Sequence, residues 1–564
     1  MKTIQVPVLV VGAGSVGLAV GLDLGWRGIG CLVIDQEADR ESAINLHPRA
    51  AAVTPRSMEF CRRWGVGEAV EDSGFPKDFT PNIVYCTDMQ GPTILVQPFS
   101  AMQDRKPTPA SPELRHRCPQ IWFDPILERG LAQYPCVQMK RPWQLDSFED
   151  RGDKVVARIC DLSTREQIEV ACDYMVACDG PTSKVRESLG VPTTGSGILS
   201  YSINAILDIP NFLSHHDKGA AERYMFIDPR GVWSELTVMD GRDRWRLGYA
   251  GNAEQLDRAA VDMPAVARRV LGPDTPFTII ALAPWRRRES IAQRLRVGRV
   301  FLAGDAAHTI PPNLGMGMNT GLGDAVDIGW KLEAALKGWA GQQLLDSYDS
   351  ERRPAASHIA AVSTETYRRW MTSTPDYHDI ENPGELGDKA RARAAEYIDR
   401  MLPDGWDTLG LQIGYRYDDS PICIPDGSEA PPPGKRLRDF TPTARPGAHA
   451  PHAWLRDGRS MLDLFGRGFV LLRFDPSIDA SAFGAAAAQS KMPFKLVDID
   501  QPDIAALYQR KLVLVRPDAH VAWRADAMPV DAADVIDTAR GAGSDAAHVA
   551  ESIVRRLTMT DTDN

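Results

Sequence analysis

The sequence predicts an α/β chain: a parallel-sheet domain interrupted by an inserted β-sheet, then a smaller C-terminal unit. Three observations predict it. A glycine-rich turn follows the first apolar strand, a second glycine-rich turn follows an acid-ended strand near position 305, and strand-forming sequence lies between them. Length agrees, since 564 residues correspond to about two to four domains. A chain 43% hydrophobic and 25% charged is globular and able to build large cores. Its net charge of −11 argues against a nucleic-acid or anionic-membrane surface. Basic clusters such as Trp285 to Arg288 remain local candidates for phosphate contacts.

The first element is "VPVLVVGAGSVGLAVGLDLGWRGIGCLVIDQ". The uncharged run from Thr3 to Leu22 behind Lys2 raises the idea of a signal peptide or membrane span. The glycines decide against it. Gly12, Gly14 and Gly17, with Ser15 and Val16 between them, form G-x-G-x-x-G after an apolar strand and open a helix. A second strand ends at Asp35, eighteen residues beyond Gly17, where a carboxylate meets a ribose hydroxyl. The free N–H groups and dipole of the helix N-terminus suit a pyrophosphate. The segment is a dinucleotide site.

The second glycine turn is "VFLAGDAAHTIPPNLGMGMNTGLGDA", from Val300 to Ala325. Its strand delivers Asp305 to the C-terminal edge of the sheet, where α/β ligands bind. A polyol there would bond that carboxylate. Pro311 and Pro312 stiffen the next turn. Gly315 and Gly317 let the backbone approach a flat ring, and a helix after Met318 turns its positive end toward it.

Together with "ACDGPTSKVRESLG" (Ala177 to Gly190), these stretches resemble the single-component FAD-dependent aromatic hydroxylases, the group of phenol hydroxylase, 2,4-dichlorophenol hydroxylase and 3-(3-hydroxyphenyl)propionate hydroxylase. The resemblance implies a Rossmann-like FAD-binding domain in which Asp305 binds the ribityl chain and Gly315 to Asn319 line the isoalloxazine. It implies that Asp179 and Arg186 belong to a network near FAD and the passing NAD(P)H. Arg49 in "HPRA" becomes a flavin or pyrophosphate contact, and Gln120 in "RCPQIWFDPIL" lies beside the flavin. Asp35 departs mildly from the family's usual glutamate. No second G-x-G-x-x-G follows a convincing strand, which fits transient binding of the nicotinamide.

The remaining elements follow in order. Residues 1–80, 118–197 and 284–420 form the FAD-binding domain. Residues 198–283, rich in aromatics and β-formers with a hairpin signal at Asp240-Gly241, form the inserted substrate sheet, joined by 81–117. A proline-rich linker covers 421–451. Short apolar strands follow in 452–564, a unit that the resemblance identifies as thioredoxin-like. No cysteine follows Cys423, so this unit performs no dithiol chemistry and would serve dimerisation or shielding. The nine scattered cysteines, without C-x-x-C, point to free thiols in a reducing, cytoplasmic setting, and no metal-ligand spacing occurs.

The resemblance implies that NAD(P)H reduces FAD, O2 adds to give a flavin hydroperoxide, and its distal oxygen attacks a phenolic ring in a phenol-degrading reaction. A base beside the substrate oxygen would help. His47 is the first candidate and Tyr224 the second, the alternatives being a loop histidine and a packing aromatic. Arg115, Arg117 and Arg246 are candidates to pair a substrate carboxylate. A homodimer is expected. Alternative readings are Baeyer–Villiger or epoxidation chemistry on a polyketide in the same fold, and a non-catalytic FAD-binding sensor. A halogenase is disfavoured by the absence of W-x-W-x-I-P, and an ordinary NAD-dependent dehydrogenase would leave the Asp305 stretch unexplained.

Overall fold

A computed structural model describes residues 2–39, 50–250, 261–372, 377–401 and 407–543. Five parallel strands form the heart of the first sheet, in the order Val300–Leu302, Gln167–Ala177, Lys2–Val11, Cys31–Ile34 and Val137–Lys140. Leu9, Val10, Leu32 and Val33 are wholly buried, as expected for strands covered on both faces. The helix Ser15–Trp26 lies between the helices Gln120–Leu131 and Gly317–Leu336. It is apolar on every side, so it is a core helix and not an amphipathic surface one.

The second sheet has eight strands. Thr193–Asp208 pairs antiparallel with Thr278–Ala292, and Arg244–Ala250, Gly231–Val238 and Ala221–Asp228 follow as a meander. Asn82–Cys86 and Thr93–Gln97 complete the far edge. The two long strands overrun the expected bounds at 198 and 283 on both sides. Their pairing shifts register at three places, between Thr194 and Gly197, Ile198 and Ser200, and Ile206 and Leu207. The turn at Asp240-Gly241 joins two strands, with Gly241 left-handed at φ 76°.

The third sheet, Phe494–Asp498, Phe469–Arg473, Leu512–Val515, Val521–Ala525, has one parallel pair and two antiparallel ones. Strand alternation divides its side chains cleanly. Val470, Leu472, Val513 and Val515 pack on Ile504 and Tyr508 of one helix. Phe469, Leu471, Leu512 and Leu514 face Phe483, Val535 and Ile536, and also Trp330 and Trp339 of the first domain. Met461–Leu464 is a single 3-10 turn and not part of a strand, since the Ser460 hydroxyl and Asp463 carboxylate cap it reciprocally. The proline-rich stretch 421–451 lacks regular structure but is fastened down, with Ile422 and Ile424 inside the shared core.

A buried ionic network crosses this seam. Lys331 donates to Asp327 (2.7 Å) and Glu351 (2.6 Å), while Arg516 grips Glu351 (2.5 and 2.9 Å) and Asp518 (2.6 Å). Three carboxylates meet two cations here, so one carboxylate must carry the excess. Burial would raise Glu351, but Arg516 and Lys331 hold it down at about 2. Burial raises Asp327 to about 7, because Lys331 only partly offsets it. A carboxylate in an unfolded chain titrates near 3.9. Between those values the folded state therefore holds the extra proton, and stability falls as pH rises through about 7. Asp327→Asn, which cannot titrate, is expected to lose that decline. Urea midpoints at about pH 5.5 and 8.5 test it; identical slopes for both proteins would count against a protonated Asp327.

Candidate active site

The three glycine-bearing motifs are brought together by contacts that only small residues allow. Gly12 has φ 99°, and a Cβ there would lie 2.4 Å from the Cys178 carbonyl oxygen. A Cβ on Gly17 would lie 1.8 Å from the Gly12 oxygen. Val16 in turn packs so closely on Gly304 and Gly321 that a Cβ at either would lie 2.8 or 2.5 Å from its methyl group. The first turn thus touches the Ala177–Gly190 stretch on one side and the Asp305 loop on the other.

Polar side chains fix the same junction. Arg186 donates to the Ala306 carbonyl at 2.9 Å, tying the Ala177–Gly190 stretch to the Asp305 loop. Asp324 accepts from the Gly304 N–H (3.0 Å), His308 Nε2 (2.7 Å) and Arg352 Nε (2.8 Å). Arg352 also donates to the Thr320 carbonyl at 2.9 Å. Sequence reasoning missed Asp324 and Arg352; the carboxylate one helical turn beyond the glycines in "GLGDA" is the signal that pointed there. The Asn319 side chain is engaged by the protein itself. Its amide donates to Ala52 O (3.0 Å) and Gly315 O (2.7 Å) and accepts from Thr54 N (3.0 Å) and Ser57 Oγ (2.7 Å). That side chain is fully spent clamping the glycine loop to residues 52–57.

One cleft of about 250 Å3 runs along this junction. Gly14, Ser15, Val16, Gln120, Asp305, Pro312, Gly315, Gly317 and Met318 line one half. Gly12 and Gly17 stand behind it as packing glycines. Asp35 accepts from Ala13 N–H at 2.6 Å, at the end of the turn. Ser15 donates to Asp124, and Gln120 Nε2 lies 3.3 Å from the other Asp124 oxygen. His47 and Arg49 lie outside the described residues.

The cleft suits a flavin dinucleotide on three counts. The N-terminus of the helix Ser15–Trp26 has no side-chain cap, leaving its N–H groups for an anion. A Cβ at Gly14 or Gly315 would meet no protein atom within 4 Å, so both face open room. Asp179 accepts from Val185 N–H at 3.2 Å through one oxygen, but its buried Oδ1 has no protein partner. The helix beyond the glycines starts at Gly317, within the expected turn, with Gly315 left-handed at φ 67°.

The other half of the cleft is formed by Glu222, Arg223, Thr237, Arg246 and Trp285 of the second sheet, with Arg117 from the short strand His116–Arg117, which pairs with Ala52–Val53, and Arg115 just before it. Tyr224 is not among them, and this corrects its placement as a base. The strand Ala221–Asp228 is irregular at Glu222, so Glu222 and Arg223 both reach the cleft, while Tyr224 turns to the opposite face. There it is wholly buried against Phe212, His216 and Trp245, and its hydroxyl donates to the Gly219 carbonyl. Burial pushes its phenol far above the ordinary range. It is a packing residue.

Known proteins give the same outline. An FAD binding domain family matches residues 5–363, and an aromatic-ring hydroxylase C-terminal family matches 443–542. The chain is 32% identical to the tetracenomycin B2 monooxygenase-dioxygenase of Streptomyces olivaceus, over 95% of this chain and 98% of that one. It is 30% identical to the 4-methyl-5-nitrocatechol 5-monooxygenase of a Burkholderia species, over 92% and 94%. Among solved structures, the rebeccamycin biosynthetic enzyme RebC with reduced flavin superposes with a TM-score of 0.88 at 36% identity, covering 96% of this chain and 100% of that one. The FAD-binding motifs, the cleft they build and these matches agree: the chain is an FAD-dependent monooxygenase and belongs to the single-component aromatic-ring hydroxylase family.

Proposed function

We propose that the protein uses NAD(P)H and O2 to hydroxylate a phenolic aromatic ring. The observation that carries this reading is the two-sided cleft: cofactor-binding glycines on one wall, a sheet bearing arginines and Trp285 on the other. FAD bound along the first wall would supply the redox chemistry, taking two electrons from the nicotinamide and activating oxygen. The chain's own contribution is positional. Asp305 would hold the ribityl chain, and the backbone of 315–317 would lie against the ring. Asn319 fixes the Gly315 carbonyl, Asp324 and Arg352 fix Gly304 and Thr320 on either side, and the second sheet closes the cleft and excludes water. The division of labour we infer assigns the first sheet to the cofactor, the second to the substrate, and the thioredoxin-like C-terminal unit to bracing the flavin helix from behind.

The test follows NAD(P)H and O2 consumption by the flavin-loaded enzyme against a panel of phenols, with products identified by mass. Oxidation stimulated by a phenol, with a product one oxygen heavier, is the expected result. A second reading, oxygen insertion into a polyketide ketone or double bond, draws on the tetracenomycin relative. Ring-expanded lactones or epoxides among the products would select it. A flavoprotein that no aromatic, ketone or polyketide stimulates would be a sensor.

A further inference from the structure

Arg115, Arg117, Arg223 and Arg246 line the cleft together with Glu222, and Glu235 lies beside them. Asp407 also acts on Arg115, and Arg287, two strands away from Arg246 in the sheet, acts on Glu235 and Arg246. Their pairing is uneven. Arg115 makes a fork on Glu222 (3.1 and 2.8 Å), and Arg117 shares that carboxylate at 2.6 Å while bonding the Val238 carbonyl. Arg223 holds Glu235 at 3.0 Å. Arg246 is left with a long 3.4 Å contact to Glu235, and its buried Nε has no partner. The Arg117 Nε is also buried without one.

An ion-pair ladder built only to hold the sheet together would leave no buried guanidinium nitrogen unsatisfied, because an unpaired buried donor is costly. Here two such nitrogens belong to Arg246 and Arg117, both of which line the cleft. Burial lowers Arg117 to about 10, with Arg115, Arg223 and Arg246 adding to the effect against Glu222. Burial likewise pulls Arg246 down, with Glu235 opposing and Arg223 and Arg287 adding to it. Each of these groups would gain from an anion in the cleft. A planar guanidinium fork recognises a carboxylate through two parallel hydrogen bonds and can also lie against an aromatic face.

We propose that the aromatic substrate carries a carboxylate, that Arg246 is its primary docking residue with Arg223 and Arg117 beside it, and that Glu235 restrains this site by competing for the same guanidinium. The inference rests on the monooxygenase reading and names the substrate class for it.

The test titrates the flavin-loaded enzyme with 1-hydroxy-2-naphthoate and with its methyl ester, reading dissociation constants from the perturbed flavin absorbance. The acid is expected to bind about 10- to 100-fold more tightly than the ester. Arg246→Met should erase that preference, while Glu235→Gln should tighten the acid several-fold more than the ester. Opposite signs in two neighbouring variants are not what damage to the fold produces. Three results would overturn the proposal: equal binding of acid and ester, no flavin perturbation by the acid at millimolar concentration, or an Arg246→Met variant that weakens NADPH relative to NADH while acid and ester are unaffected. The last would assign the cations to the nucleotide phosphate. Acid-selective binding by a protein that no substrate stimulates would instead sink the monooxygenase reading and keep the anion site.

Discussion

Arg516→Met is expected to cost about 3–5 kcal/mol and to loosen the C-terminal sheet from the flavin helix. Arg516 is fully buried and bonds Glu351 and Asp518 at once, between the rings of Trp330 and Tyr417. Removing it strands three carboxylates around Lys331 alone. Much of the loss is the penalty of those orphaned charges, so adding Glu351→Gln and Asp518→Asn should recover part of it. Urea unfolding read by tryptophan fluorescence measures this, since Trp330, Trp339 and Trp523 share that core. A midpoint that moves by less than about 1 kcal/mol would show the network to be dispensable.

The second large effect separates two glycines three residues apart. Gly17→Ala places a methyl carbon 1.8 Å from the Gly12 oxygen, a collision with backbone that no rotamer relieves. A loss of about 3 kcal/mol and of bound flavin together is expected. Gly14 has an ordinary φ of −72°, and its missing Cβ looks into the cleft. Gly14→Ala should melt as the parent does, yet hold flavin roughly 10- to 100-fold more weakly, because the methyl occupies the approach of the pyrophosphate. Flavin-to-protein absorbance ratios and thermal melts of the two variants decide the matter. Full flavin retention by Gly14→Ala would place the pyrophosphate elsewhere.

What was legible in the sequence was what local rules govern. Glycine spacing after an apolar strand announces a turn whatever the rest of the chain does, so Gly12, Gly14, Gly17 and Asp305 were readable directly. The direction of a side chain on an inserted strand was not. Tyr224 and Arg223 differ by one position, and only the pairing register decides which of them meets the cleft. The partners of the Asn319 side chain were not legible either, because Ala52, Thr54 and Ser57 lie more than 260 residues away. The ionic seam was invisible for the same reason: Asp327, Glu351 and Arg516 are ordinary surface-type residues until the fold brings them together.

The pairing of Thr193–Asp208 with Thr278–Ala292 bears on how such a protein can diversify. Thr193 sits opposite Ala292 and Asp208 opposite Thr278, so everything between Ile209 and Phe277 leaves and re-enters at one doorway. A segment whose two ends are neighbours can be shortened, lengthened or exchanged without pulling on its host. Descent from a common ancestor could therefore rework the pocket wall repeatedly while the grip on the cofactor was inherited intact. The same doorway marks the natural crossover points for chimeras between this chain and relatives of different substrate taste.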